Sequence, residues 1–482
     1  MTRKNLRKPR RKSKSTKTAP WFSFFNILCL LLSAILINLS FLGHYLGILA
    51  WFGLLPFLTA INNKPWKQKL LLSFLFGFMF FLGLIYWLVH VSLFGLLILC
   101  LYLALEFSLW SVFLPEPSHW SSLIIGPALW ILIERLRGVL FGGFFWGMLG
   151  YSQFENIALI QSADKLGVWG ISFAIVLINF ILFQILDQRK HGNKIPVYVY
   201  IPILYLVSIY TYGWTILNTK PFSQPSCKLS MIQPNIEQEK KWDSDYASAN
   251  MNQLQQLSVL AGKDNPDLIV WPETAVPGYI LDEPRLYNQV IDIARQAKTH
   301  LLIGSPREDY LSKQYYNSVF LFGAQGNLKR YHDKLHLVPF GEYIPYKNIF
   351  GFLKNSPIAD FSAGKNHTLF QIFNQQNQEV NFGVLICFED TFPQLVRKFK
   401  QQGADFMVTV TNEAWFKHST EPLQHTAISV FRAIENRCWF TRSANTGISC
   451  FIDPYGIIKA KVQDKTTKAD IFVQGFTTYQ ID

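Results

Sequence analysis

Apolar runs of about 20 residues recur through the first half of the chain, and at 1.5 Å rise per residue a helix of that length crosses the hydrocarbon core of a bilayer. Seven runs are readable, at 21–39, 41–61, 70–89, 92–114, 121–136, 167–187 and 195–216. The fifth is the weakest, being short and ending in Glu134, Arg135 and Arg137. Composition agrees: of 482 residues half are hydrophobic and only 16% charged, well under the quarter found in soluble globular proteins. Part of this chain belongs in lipid.

A formal net charge of +13 would point to nucleic acid if it lay on a folded face. Instead nine of those charges (Arg3, Lys4, Arg7, Lys8, Arg10, Arg11, Lys12, Lys14 and Lys17) precede the first apolar run with no acid among them. That reads as a basic cytoplasmic tail at 1–20, a positive-inside anchor, rather than a nucleic-acid-binding arm. The apolar region also runs far beyond a signal-peptide core and shows no small-residue cleavage site, so the tail is taken as retained. Two basic loops, Lys64, Lys67 and Lys69, then Arg189, Lys190 and Lys194, fall on the tail's side if all seven runs cross. The transmembrane domain is therefore expected at 21–217, and everything after it outside the cytoplasm, in the periplasm of a Gram-negative cell.

From 226 to 482 the texture changes to short apolar runs between polar, helix-patterned stretches, as in an α/β domain. Strands are expected at 229–232, 268–271, 300–304, 318–322, 382–387 and 406–410, and helices at 247–262, 284–298, 391–402 and 422–437. The six cysteines, at 29, 100, 227, 387, 438 and 450, form no CxxC pair and no disulfide-scaffold spacing. Neither a metal nor a cofactor is expected.

Three polar residues sit at or near the ends of strand-like runs, where a scaffold presents its reactive groups. Glu273 closes Leu-Ile-Val-Trp-Pro-Glu, Lys334 lies in Tyr-His-Asp-Lys-Leu-His, and Cys387 ends Gly-Val-Leu-Ile-Cys. Singly they read as a turn carboxylate, a solvated lysine and a core cysteine. Together they supply a reaction: a thiol with pKa about 8.5 needs a base to become a nucleophile. A glutamate can take and return its proton, while a lysine stabilises the oxyanion of a tetrahedral intermediate.

These residues resemble the glutamate, lysine and cysteine of the nitrilase superfamily, and more closely those of the bacterial apolipoprotein N-acyltransferases. The similar blocks are 233–238 (Gln-Pro-Asn-Ile-Glu-Gln) with Lys241 and Trp242, 271–275 (Trp-Pro-Glu-Thr-Ala), 337–342 (Leu-Val-Pro-Phe-Gly-Glu), 411–416 (Thr-Asn-Glu-Ala-Trp-Phe), Gln424 with His425, 432–435 and 442–449. In the apolar half, 134–137 and 145–153 resemble the family too. The resemblance implies a polytopic helical membrane domain joined to a nitrilase-like αββα sandwich. It also implies transfer of a fatty acyl chain from a phospholipid, typically phosphatidylethanolamine, through a thioester on Cys387 to the N-terminal amine of a diacylated apolipoprotein.

The same resemblance makes Glu342 a second acid beside Lys334, and gives Glu389 a part in sensing the amine or ordering the loop. Trp242, Trp415 and Phe416 become candidate lipid contacts, with interfacial anchoring or core packing as alternatives. Glu134 and Arg137, spaced i, i+3, are expected to pair with each other or with the loop below them. Three positions depart from the family pattern: Phe388 stands where tyrosine is usual, and Glu413 and Lys417 where aspartate and glycine are. No apolar helix follows the second half, so the expectation is either seven crossings or a sequence that stops early. Two other readings share these residues: a membrane-tethered amidase for small substrates, and a silent scaffold that keeps the fold as a binding module.

Overall fold

The computed structural model describes residues 23–218, 226–345, 348 and 360–482; the basic tail lies outside them. The first half is helical. Its α-helices are α1 (Phe24–Leu39), α2 (Leu55–Ile61), α3 (Trp66–Leu84), α4 (Leu93–Phe113), α5 (Ser122–Arg137), α6 (Ile157–Ile160), α7 (Ala163–Lys190) and α8 (Ile201–Leu217). Four stretches among the described residues are long and apolar enough to cross a membrane: α3, α4, α7, and α8 with the 3-10 turn before it from Val197.

The run expected to be continuous from 41 to 61 is not one helix. It begins in left-handed backbone at His44 and Tyr45, continues as a 3-10 helix, Leu46–Trp51, and ends in the seven residues of α2. Close packing explains the break, since a Cβ on Gly47 would lie 2.4 Å from the Ser152 carbonyl and one on Gly53 2.7 Å from Ile37. Hydropathy records apolarity and is blind to such approaches.

Glu134 and Arg137 are both buried but no ion pair joins them. Arg137 reaches Glu106 at 3.4 Å, while Glu134 Oε1 accepts from the Trp130 indole at 2.9 Å and from the Leu149 N–H, also at 2.9 Å. Of the two expected partners, Glu134 takes the loop.

The second half is two six-stranded sheets packed face to face. The strands are β1 (Cys227–Gln233), β2 (Leu268–Val270), β3 (His300–Asp309), β4 (Gln314–Phe322), β5 (Leu328–Asp333), β6 (Leu369–Phe373), β7 (Glu379–Ile386), β8 (Phe406–Thr411), β9 (Phe440–Ala444), β10 (Cys450–Ile452), β11 (Ile458–Lys461) and β12 (Gly475–Ile481). One sheet runs β12-β1-β2-β3-β4-β5, the other β11-β10-β9-β8-β7-β6. Each has three parallel strands at its centre, β1-β2-β3 and β9-β8-β7, flanked by antiparallel edges. Such central strands are buried on both faces, which is why they read as unbroken apolar runs.

The remaining helices are α9 (Gln238–Lys241), α10 (Ser244–Gly262), α11 (Pro284–Ala297), α12 (Pro393–Gln401) and α13 (Glu421–Asn436). Leu286, Val290, Ile293, Ala294 and Ala297 make one apolar stripe on α11, and with Met251 and Leu254 of α10 they cover the outer face of the first sheet. Leu229, Val270, Leu302, Val384 and Val408 fill the space between the sheets. The helices α12 and α13 cover the second sheet, giving an αββα sandwich. Their apolar residues, among them Val396, Phe399, Phe431 and Ile434, run without a break into the helical half through Phe145, Tyr151, Val168 and Ile171. One core therefore joins the sandwich to the apolar helices.

Candidate active site

In parallel sheets, ligands bind beyond the carboxyl ends of the strands, and this sandwich follows that rule. Glu273 follows β2, Cys387 follows β7 and Asn412 follows β8, while Lys334 directly follows β5. Glu273 and Lys334 are buried, and Cys387 is partly so. The Lys334 ammonium donates to Glu342 Oε1 at 2.9 Å and to Glu273 Oε1 at 3.4 Å. The Asn317 amide bridges the same two carboxylates, at 2.8 Å to Glu273 and 3.0 Å to Glu342. The Asn412 N–H fixes the other Glu273 oxygen at 3.0 Å, and the Val338 N–H fixes the other Glu342 oxygen at 2.8 Å. Both carboxylates are thus held at each oxygen, and the lysine between them is oriented by charge from two sides.

Backbone strain gathers here, as it does at many functional sites. Cys387 is held at φ +54° and the β-branched Thr274 at φ +45°. The Cys387 turn is secured from below by two acids. Glu389 accepts from the N–H groups of Ile386, Leu335 and His336 at 2.7, 2.6 and 3.0 Å, so it ties the Cys387 turn to the Lys334 loop. Asp390 accepts from His425 Nε2, Ser429 Oγ and Arg442 Nη1, each at 2.7 Å. The neighbouring Glu273 loop depends on Gly304 of β3, where a Cβ would lie 2.5 Å from the Thr274 nitrogen and 2.6 Å from the Pro272 oxygen.

The electrostatics follow from burial and charge. Burial and the Glu273 carboxylate push the Cys387 thiol well above its usual range, with Lys334 pulling the other way. Burial would depress Lys334, but Glu342 and Glu273 outweigh it and raise its pKa. Burial lifts Glu389 to about 7 against its backbone donors. The resting site is therefore a protonated thiol with a carboxylate near it, an arrangement in which proton transfer could generate a thiolate.

Trp242 and Trp415 are half exposed, at 49% and 50%. Phe416 is partly buried and packs edge-on against Trp87 of the helical half, ring centroids 4.6 Å apart, one residue before Lys417, which is held at φ +51°. Other contacts press the site against the same half: His336 Nε2 donates to the Gly142 carbonyl at 2.8 Å, and Phe392 lies 5.2 Å from Phe145.

Glu413, Glu421 and His425 bring three metal-competent atoms within 4.8 Å of one another. Both imidazole nitrogens are already engaged, with Glu413 at 2.8 Å and Asp390 at 2.7 Å, and Arg442 also binds Glu413, at 2.6 Å. Two cations thus face Asp390 and Glu413, while burial and the Glu413 charge hold Glu421 well above the usual carboxylate range, and the cluster reads as a buried charge network behind the Cys387 turn. The sequence reading missed Asn317, which lies mid-strand with no motif to mark it, and gave Asn412 no role although it stands in the similar block 411–416. It also placed Lys241 only within a similar block, although this lysine is buried and donates to the Glu273 carbonyl at 2.9 Å.

An αββα sandwich carrying a buried glutamate and lysine with a cysteine at the ends of neighbouring strands defines the carbon-nitrogen hydrolase class, and residues 228–476 match the model of the family described as carbon-nitrogen hydrolase. Residues 33–181 match the apolipoprotein N-acyltransferase N-terminal domain. An apolipoprotein N-acyltransferase of Geobacter metallireducens is 37% identical over 89% of this chain and 85% of its own length. One from Nitrosomonas europaea is 34% identical over 86% and 84%. Among solved structures, Saccharomyces cerevisiae Nit3 of the nitrilase superfamily aligns at 21% identity and TM-score 0.41, over 55% of this chain and 92% of its own. The chain belongs to the apolipoprotein N-acyltransferase family.

Proposed function

We propose that the chain moves a fatty acyl group from a phospholipid to the N-terminal amine of a diacylated lipoprotein, with Cys387 carrying the acyl group between them. Membership of the family makes it an N-acyltransferase working at a membrane on lipoprotein and phospholipid substrates. One observation carries the finer reading: the loops around the site of Glu273, Lys334 and Cys387 pack, through Phe416, Phe392 and His336, on Trp87, Phe145 and Gly142 in the connections between the apolar helices. A soluble amide needs no such placement; a lipid ester does.

In the first half-reaction Glu273 takes the thiol proton and the Cys387 sulfur attacks the carbonyl carbon of the ester. Lys334 stabilises the oxyanion. As the carbon–oxygen bond breaks, Glu273 returns the proton to the departing alkoxide, giving a lysophospholipid and a thioester. In the second half-reaction the lipoprotein amine attacks the thioester, Glu273 takes a proton from its nitrogen, the carbon–sulfur bond breaks and the thiol is restored. Glu342 keeps Lys334 aimed, Glu389 keeps the nucleophile turn in register, and the exposed Trp242 and Trp415 meet acyl chains at the mouth.

The donor in this reading is phosphatidylethanolamine. The domain at 21–217 spans the bacterial inner membrane, and the domain at 226–482 faces the periplasm. The test is transfer of a labelled acyl chain from phosphatidylethanolamine to a diacylated lipopeptide in mixed micelles. Label on the peptide amine, lost with Cys387→Ala, is the expected result. Release of ammonia from small amides with no transfer would favour the amidase instead.

A further inference from the structure

The charges around the thiol do not close without one more cation. Glu273 and Glu342 face a single ammonium, Lys334. When the thiol proton passes to Glu273, the negative charge moves to sulfur and the imbalance stays. Charge buried in a low-dielectric site must be compensated close by. A second buried ammonium, Lys241, lies against the Glu273 loop.

Lys241 closes the short helix α9, and its charged neighbours all turn outward. Lys240 pairs with Glu237 at 3.0 Å, and Glu239 pairs with Lys417. Lys241 alone turns in and is only 2% exposed. An ammonium has three donors, yet among the described residues its hydrogen bond is to the backbone carbonyl of Glu273, at 2.9 Å, and no carboxylate lies in ion-pair range. Burying a lysine without a counterion is costly, and here burial brings its pKa down to about 8, with Glu273 and Cys387 as the groups that oppose the fall. The negative charge that favours its position rests first on Glu273 and passes to the sulfur when the thiolate forms.

We propose that Lys241 is a positioning residue for the acyl transfer: its ammonium holds the Glu273 loop by the carbonyl and balances the negative charge on the Cys387 sulfur. The inference rests on Cys387 as nucleophile. It assigns the two lysines separate tasks, Lys334 to the oxyanion and Lys241 to the sulfur. The second task matters each time the thiolate forms or leaves.

The test reads the thiol directly. Full-length protein in detergent is freed of acyl groups with hydroxylamine, and the rate of Cys387 alkylation by iodoacetamide is followed against pH by intact mass. Lys241→Gln keeps a donor for the Glu273 carbonyl and removes the charge; Lys241→Arg keeps the charge. The Gln variant should alkylate about tenfold more slowly at pH values below about 8, where Lys241 carries its charge, while the Arg variant stays with the parent. Superimposed profiles for Gln and parent would overturn the proposal. Should the Gln variant fail to fold, Lys241→Met carries the same prediction with an apolar chain of similar length. Transfer that survives Cys387→Ala would instead overturn the thioester reading, so the two failures are distinguishable.

Discussion

Phe416 stands edge-on against Trp87, ring centroids 4.6 Å apart and planes at 70°. The contact joins the helical half to a loop that starts at Asn412, whose N–H holds Glu273. Trp87 is fixed from its other side, donating to Gln424 Oε1 at 3.2 Å, while Trp146 donates to the same oxygen at 2.7 Å. Two indoles from the helical half and one glutamine from α13 thus fix this loop against the apolar helices.

That contact should be measurable as a coupling. Edge-to-face aromatic pairs contribute about 0.5–1.5 kcal/mol beyond the area they bury. A double-mutant cycle of Trp87→Leu and Phe416→Leu, read by thermal unfolding in detergent, is expected to give a coupling in that range. Additive effects would mean that the rings do not stabilise each other.

Gly304 should be catalytically intolerant while leaving the sheet folded. A methyl group there lies 2.5 Å from the Thr274 nitrogen, so Gly304→Ala has to displace the loop that carries Glu273. A shift on the order of 1 Å in a reacting group costs about a hundredfold in rate. The expected outcome is that loss in kcat with little change in KM for the lipopeptide, checked by steady-state kinetics beside circular dichroism.

The buried network behind the Cys387 turn predicts a stability profile. Burial opposes the charge on His425, but Asp390 and Glu413 outweigh it and raise its pKa from 6.5 to about 9. A group whose folded pKa is raised contributes stability that is complete below the unfolded value and fades as pH rises through the folded one. Tm should therefore hold below about pH 6.5 and fall from there to about pH 9, where the contribution is spent. His425→Gln, lower in Tm at neutral pH, should lose much of that alkaline fall; a slope equal to the parent's would place the titration elsewhere.

Much of this architecture is legible in the chain, and the losses have physical causes. The six expected strands lie within β1, β2, β3, β4, β7 and β8, or overrun their ends by a residue, because strands buried on both faces are continuously apolar. Edge strands such as β5 (Leu-Lys-Arg-Tyr-His-Asp) and β11 (Ile-Lys-Ala-Lys) show water one face and escape that signal. In β9 the signal is hidden by Arg442, fully buried but neutralised by Asp390 and Glu413. Within the site, Glu273, Lys334 and Cys387 stand out because each follows or nears an apolar run. Lys241 does not, since the Lys240–Lys241 pair reads as solvated and only the fold shows which of the two turns inward.

The thioester on Cys387 is the centre of the account, and intact mass of the purified protein with its native lipid tests it most directly. The parent is expected to carry a fatty-acyl adduct that discharges when a diacylated lipopeptide is added and is absent from Cys387→Ala. An adduct that persists on the alanine variant, or one on the parent that the lipopeptide amine cannot remove, would contradict it.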